Sequence, residues 1–401
     1  MLINTNGKPK GVLMVLESAY PCPVGGGAEG QVRTLSTSLV TRGVKVIVVT
    51  PLLYFGPQAR TEFIDGAEVV RLRYPRMPMI GGLMMLGQLA WFLVRRRHDY
   101  SVVHAHIANN MAALSCLIAP LLGKPVIVKL TGLTEIAGGI LAPRAGVGTQ
   151  LKKLAVRRAR YYQATSSHIG RMLAAAGFRP QKIRQIPNAV DTRSSERPGR
   201  DLSLRAELCA GASRVGVFVG RLAPEKGLDV LLNAWAEAFR SRDDVRLLVV
   251  GAGVSMESLQ TLAQTLGIGQ QVLFVGHTPT PARYLAVADF ALLPSLQEGL
   301  SNALLEAMSA GLPTIGSRIS GNEDFIVPGK TGWLFTAGSV PELRACLSAA
   351  AQMDLGQIDQ MGVAAKRFVN DHASIAAVVG RLLDLYGLGE SSGPTTRHQA
   401  G

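Results

Sequence analysis

PSLQEGLSNALLEAMSAGLPTIGS, residues 294–317, reads as one complete strand-to-strand crossover. The apolar run FALLP (290–294) gives way to a loop carrying Glu298 and Gly299, and Ser301 stands where the N-cap of the helix NALLEAMSAG belongs. Gly311 closes that helix, and LPTIGS follows as the next short strand. A helix N-terminus leaves its first N–H groups unpaired and its dipole favours negative charge. The amides near Leu300, Ser301 and Asn302 therefore form a candidate anion site. Glu306 follows about one turn in, roughly 6 Å along the axis at about 1.5 Å per residue.

Outward from this stretch the same alternation fills the chain. The first half holds GVLMVLE, VKVIVVT, AEVVRLR, SVVHAH, PVIVKLTG, YYQATS and KIRQIPN; the second holds RVGVFVG, VRLLVVG, QVLFVGH, FALLPS, LPTIGS and TGWLF. Apolar strands separated by helical segments indicate parallel sheets covered on both faces. Each half has its own series, so the reading is α/β with two doubly wound, Rossmann-like domains, as a length of 401 residues suggests. We expect an N-terminal domain over 1–190 and a C-terminal domain over 191–371, joined near PNAVDTRSSERPGRD, where Pro, Ser and alternating charge replace periodic apolar sequence. The polar tail 389–401 is expected to be disordered. Two such domains side by side would make a cleft at the strand ends, where α/β ligands bind.

A second motif lies in VFVGRLAPEKGLDVLL, residues 217–232, where Arg221 and Lys226 flank a Pro-containing turn after a strand. Two cations in a strand-end loop can neutralise a diphosphate and stabilise it as a leaving group. Glu298 and Glu306, on either side of the anion nest, then match the hydroxyls at the two ends of a nucleoside diphosphate-sugar. No D-x-D sequence and no His/Cys/Asp cluster of ligand spacing occurs, so we expect no metal, with Arg221 and Lys226 taking its place.

Several motifs together resemble the retaining GT-B glycosyltransferases of the E-x7-E type, glycosyltransferase family 4-like, group 1. They are G-R-L-x-x-x-K-G-x-D at 220–229, E-G-L-S-N-A-L-L-E at 298–306 and A-x-x-x-G-x-P-x-x-x-S at 307–317, with VLFVGH, P-N-A-V-D at 187–191 and G-x-T-G-W-L-F at 329–335. The resemblance covers the chain to about residue 388. It implies a GT-B fold whose C-terminal domain holds the nucleotide-sugar and whose N-terminal domain holds the acceptor. By position, Arg221 and Lys226 would bind the diphosphate and Glu306 the ribose. Glu298, with Gly299 and the Leu300–Asn302 amides, would meet the donor sugar and phosphate. The last helix, about 372–388, would cross back onto the first domain.

The first half departs from the family pattern. VVHAH offers His104 and His106 at a strand end, with His106 as the candidate cleft residue. Thr131, followed by Gly132, stands where the family often has a histidine, and a threonine can hydrogen-bond a sugar hydroxyl but is no general base at neutral pH. This fits transfer in which the leaving diphosphate takes the acceptor's proton on the same face.

The stretch VLESAYPCPVGGGAEGQ, 15–31, places Gly25, Gly27 and Gly30 on G-x-G-x-x-G spacing, which raises an NAD(P)-dependent enzyme as one alternative. A dinucleotide fingerprint needs its first glycine at the strand end, yet nine residues, SAYPCPVGG, separate the strand from Gly27, and the next strand ends in Thr50 and Pro51 rather than an acid. Gly25, Gly26 and Gly27 instead look like the family's N-terminal glycine loop, with a helix expected over 28–42. A GT-B-type sugar-nucleotide epimerase and a non-catalytic binding subunit are further alternatives.

The net charge of +14 is uneven: residues 1–190 hold 24 Lys and Arg against 7 Asp and Glu, whereas 191–401 hold 18 against 21. The basic half is expected to face something anionic. Aromatics are 5% and no nucleic-acid-binding signature appears, so an acidic membrane surface is preferred over nucleic acid. MPMIGGLMMLGQLAWFLV, 77–94, is uncharged and followed by three arginines; Pro78 and three glycines favour a buried or interfacial helix over a span. The four cysteines form no C-x-x-C pair, and the start of the chain carries no h-region. The resulting expectation is a cytoplasmic enzyme, peripheral on the inner face of the plasma membrane. It would move sugar from a nucleotide-sugar, UDP-sugar by default, to a lipid-linked or polysaccharide acceptor, with no cofactor.

Overall fold

The computed structural model describes residues 11–21, 26–52, 58–75, 77, 79–132, 139–142, 146–193 and 201–389. Gly25 and the tail from 390 lie outside the described residues. The chain divides into two compact units, one of Met1–Lys129, Gln150–Tyr162 and Val378–Gly401, the other of Leu130–Thr149 and Gln163–Ala377.

The first eight strands are β1 (Gly11–Val15), β2 (Lys45–Pro51), β3 (Thr61–Ile64), β4 (Ala67–Leu72), β5 (Val102–Ala105), β6 (Val126–Leu130), β7 (Tyr161–Ala164) and β8 (Ile183–Gln185). They form one sheet in the order β3-β4-β2-β1-β5-β6-β7-β8. Leu13 at its centre pairs in parallel with Ile47 and Val103, and all of β1 is buried. The sequence reading omits β3, which pairs antiparallel with β4 through a turn at Asp65 and Gly66, both at positive φ (48° and 82°). Left-handed backbone at both turn residues matches the right-handed twist of a hairpin, and Asp-Gly adopts it readily.

The second sheet holds β9 (Arg214–Val219), β10 (Val245–Val250), β11 (Val272–Gly276), β12 (Phe290–Leu293), β13 (Thr314–Ser317) and β14 (Gly332–Phe335). Its order is β11-β10-β9-β12-β13-β14, and every neighbouring pair is parallel. The winding reverses between β9 and β12, which makes a topological switch point there. Trp235, with its Nε1 donating to Gln271 Oε1 at 3.0 Å, anchors the core on one face of this sheet. The fold is thus the expected GT-B pair of Rossmann-like halves built on parallel sheets.

The helix expected at 28–42 runs Gly27–Thr41, and that expected near 372–388 is Ile375–Tyr386. The segment 77–94 folds as the helix Ile80–Arg95, and among the described residues no helix is long and apolar enough to cross a membrane.

Candidate active site

In an open α/β sheet, ligands bind beyond the carboxyl ends of strands at the switch point. The loop after β9 carries Arg221 and Lys226; the loop after β12 carries Glu298 through Asn302. Backbone packing locks the two together. Leu296 N donates to Glu225 O at 2.8 Å, and a Cβ on Gly227 would lie 2.3 Å from Pro294 O. Gly227 also has φ 64°, so glycine is required there twice over, and the close approach delivers Lys226 to the β12 loop. Lys226 Nζ then donates to Glu298 Oε1 at 2.6 Å, while Ser295 Oγ donates to Oε2 at 3.0 Å. Both side chains of the ion pair are mostly buried, at 15% and 13% exposure.

Arg221 pairs with an acid of its own loop. Its Nη2 meets Glu225 Oε1 at 2.7 Å within the same loop, and its side chain is 68% exposed.

Gly299 is gripped from two sides. A Cβ there would fall 1.5 Å from Thr131 O, and Gly321 N donates to Gly299 O at 2.8 Å. Thr131 and Gly299, far apart in sequence, therefore touch through backbone. Ser301 occupies the N-cap of the helix Asn302–Ser309, but its side chain makes no capping bond, contrary to the sequence reading. Asn188 of the P-N-A-V-D segment holds this turn instead, with Nδ2 donating to Leu300 O at 3.2 Å and to Asn302 Oδ1 at 2.9 Å. The backbone N–H groups of Leu300 and Ser301 find no acceptor among the described residues, so donors at a helix start face no internal competitor. Glu306, on the same helix, has no side-chain partner among the described residues, and burial raises its carboxyl pKa above the usual glutamate value.

The first sheet also reverses direction, between β1 and β5. Glu17, which the sequence reading did not single out, follows β1. Its Oε2 accepts from Met111 N at 2.7 Å and its Oε1 from Asn110 Nδ2 at 3.2 Å, at the start of the helix Asn110–Ile118. Burial outweighs these bonds and raises its pKa. An acid closing the apolar run GVLMVL was the available signal. Gly26 is the N-cap of Gly27–Thr41, and Gly27 begins that helix.

His106 is not open to a ligand as the sequence reading had it. The residue is 1% exposed, its ring lies 4.2 Å from that of His104 at a tilt of 35°, and neither ring nitrogen has a hydrogen-bond partner among the described residues. His104 Nδ1 in turn lies 2.6 Å from Tyr386 Oη. Burial first, then the nearby His104 and Lys129 charges, hold the His106 pKa well below the ordinary histidine value. Among the described residues no His, Cys, Asp and Glu group of metal-binding geometry occurs.

Residues 213–352 match the family model described as glycosyl transferases group 1, and residues 25–194 match that of glycosyltransferase family 4. A D-inositol 3-phosphate glycosyltransferase of Segniliparus rotundus is 30% identical, across 74% of this chain and 70% of that protein. A 2-deoxystreptamine glucosyltransferase of Streptomyces kanamyceticus is 27% identical, across 92% of this chain and 97% of that one. Among solved structures, Anabaena HepE in complex with UDP superposes with a TM-score of 0.77 at 19% identity, covering 94% of this chain and 99% of that one. WaaG, a glycosyltransferase involved in lipopolysaccharide biosynthesis, does so with a TM-score of 0.71 at 17% identity, covering 94% and 100%. With a GT-B fold and relatives of this kind along most of its length, the chain belongs to glycosyltransferase family 4, the group 1 glycosyl transferases.

Proposed function

We propose that the protein is a retaining, metal-independent glycosyltransferase that moves a sugar from a nucleoside diphosphate-sugar to a lipid-linked or polysaccharide acceptor. The observation that carries this reading is the Lys226–Glu298 pair at the switch point, with the Leu300 and Ser301 amides beside it in the same loop. An ammonium has three donors and Glu298 takes one, so Lys226 keeps two for diphosphate oxygens. Arg221 adds charge from the solvent side, and the helix start adds its dipole. Glu298, oriented by Ser295 and Lys226, accepts from donor-sugar hydroxyls, and Glu306 from the ribose.

In the transfer step, the bond from the anomeric carbon to the diphosphate oxygen breaks as the acceptor oxygen bonds the same face. The acceptor's proton passes to the departing diphosphate oxygen, whose negative charge Lys226, Arg221 and the loop amides stabilise. Residues 1–190, with Gly25–Gly27, Thr131 and the strand-end Glu17, supply the acceptor side in this reading. Several relatives support a membrane-linked acceptor, among them a GDP-mannose-dependent phosphatidylinositol monomannoside mannosyltransferase of Mycobacterium tuberculosis at 29% identity. A cytoplasmic, peripheral location follows from the same argument. UDP and GDP sugars are both candidate donors, the former from the HepE complexes and the latter from the mannosyltransferases.

The test is a melting-temperature panel of nucleotides, followed by turnover of the matching sugar. Saturation at about 100 times Kd stabilises by about 2.7 kcal/mol, a readily measured shift. Lys226→Ala and Glu306→Ala should each abolish turnover in a folded protein. Wild-type rates in both variants would overturn the assignment.

A further inference from the structure

The helix Ile80–Arg95 is apolar on two faces. Met85, Leu89, Phe92 and Leu93 are buried inward, yet Ile80 (48%), Leu83 (68%), Met84 (49%), Trp91 (61%) and Val94 (44%) are exposed. At about 100° per residue, the exposed five fall within an arc of about 100°, one continuous outward stripe. Gly87 lies in the same arc, and an added Cβ there would meet nothing. A contiguous apolar stripe on a soluble domain marks an interaction surface.

The charges around the stripe say what covers it. A cavity of about 620 Å³ beside it is lined by Arg60, Gln88, Trp91, Phe92, Arg95 and other residues of this face. Every acid of the adjoining strands and turn already has a cation. Glu62 pairs with Arg71, Glu68 with Arg96, and Asp99 with Arg96 and Lys45. Arg60, Arg73 and Arg95 have no acidic partner among the described residues and are exposed, so the border of the stripe is net positive. A second copy docked on this face by a two-fold axis would bring these arginines against each other, which is unfavourable. Apolar side chains bordered by unpaired arginines match the boundary between acyl chains and anionic headgroups.

We propose that the outward stripe of the helix Ile80–Arg95 seats in the headgroup and acyl boundary of an anionic bilayer, with Arg60 and Arg95 binding a phospholipid phosphate at the cavity mouth. This rests on the peripheral-membrane part of the proposed function and names the surface responsible. Trp91 penetrates the interface, while the inward face of the helix stays packed on its own unit.

The experiment is co-sedimentation of the full chain with vesicles of phosphatidylcholine alone or with about one third phosphatidylglycerol. The wild type should bind the anionic vesicles, weaken as salt rises, and show a blue shift of Trp91 emission. Trp91→Phe should abolish the shift and retain binding, because Trp235, fully buried, and Trp333, half-buried, both belong to the other unit. Leu83→Asp with Trp91→Asp should lower partitioning at least about tenfold on anionic vesicles. Arg60→Ala with Arg95→Ala should lower it about tenfold or more there and leave phosphatidylcholine binding unchanged. Failure of the wild type to bind either vesicle would overturn the proposal, as would unchanged binding by the double aspartate variant. A wild-type dimer that this variant converts to monomer would assign the stripe to a second copy and also overturn it. Nucleotide-induced melting shifts are read on the same samples. Their loss with vesicle binding intact would sink the transferase reading alone, and the converse would sink the membrane surface alone.

Discussion

Lys226 Nζ and Glu298 Oε1 meet at 2.6 Å although 72 residues separate them in sequence. Each is mostly buried, so each is the other's main compensation for lost water. Lys226→Met should therefore strand a carboxylate and destabilise the protein by about 3 kcal/mol in urea melts. Adding Glu298→Gln should recover most of that stability and none of the activity. Equal losses in the single and double variants would show that the pair is not coupled.

Glu306 carries a pKa raised by burial, which fixes the sign of its pH effect. A carboxyl held above its unfolded value stabilises the fold fully below the unfolded pKa, and that contribution is lost as pH rises through the folded one. Glu306→Gln should therefore melt higher than wild type at pH 7 to 8, with the advantage fading as pH falls towards the ordinary glutamate pKa of 4.5. Turnover should fall by about 10- to 100-fold, the cost of losing the charged hydrogen bond to ribose that the proposed function assigns to it. A variant that is less stable than wild type at neutral pH would contradict this account.

Gly299→Ala places a methyl 1.5 Å from Thr131 O, a distance no side-chain rotation relieves. The backbone must shift, and we expect at least about 3 kcal/mol of destabilisation and weaker nucleotide binding by thermal shift. Gly380→Ala, on the helix Ile375–Tyr386 with nothing within 4 Å of its Cβ, is the control. It should stabilise by roughly 0.5–1 kcal/mol and leave nucleotide binding alone.

His106 is held neutral by burial, with a pKa depressed below the ordinary histidine value. Such a group contributes stability that is present above the unfolded pKa, about 6.5, and lost as pH falls through the folded one. His106→Gln should flatten the fall in melting temperature between pH 7 and pH 5. Tyr386→Phe, which removes the 2.6 Å contact to His104, should cost about 1–2 kcal/mol at every pH in that range.

The parallel strands were legible because their apolar runs need no partner information to be recognised as buried. The strand β3 was missed because TEFI alternates half-exposed with exposed residues, although the Asp65-Gly66 pair that follows is a hairpin signal. The residue types in the loops after β9 and β12 were legible; their pairing was not. That Lys226 meets Glu298 depends on how closely Gly227 lets its loop approach Pro294. The burial of His106 was illegible for a related reason. Its neighbour His104 is bonded by Tyr386, 282 residues downstream, which no local pattern announces.

The winding order of the second sheet has a consequence for synthesis. β9 and β12 are neighbours in space, but β10 and β11 are made between them. A nascent chain that has emerged only as far as β11 already carries Lys226 and entirely lacks Glu298, Leu300 and Ser301. Under the proposed donor site, such a chain has no amide nest to offer, so nucleotide-sugar would not stabilise it against misfolding or proteolysis. In that reading, protection by substrate would begin only when β12 slots in beside β9, and nucleotide pools would guard the finished enzyme and not its precursors.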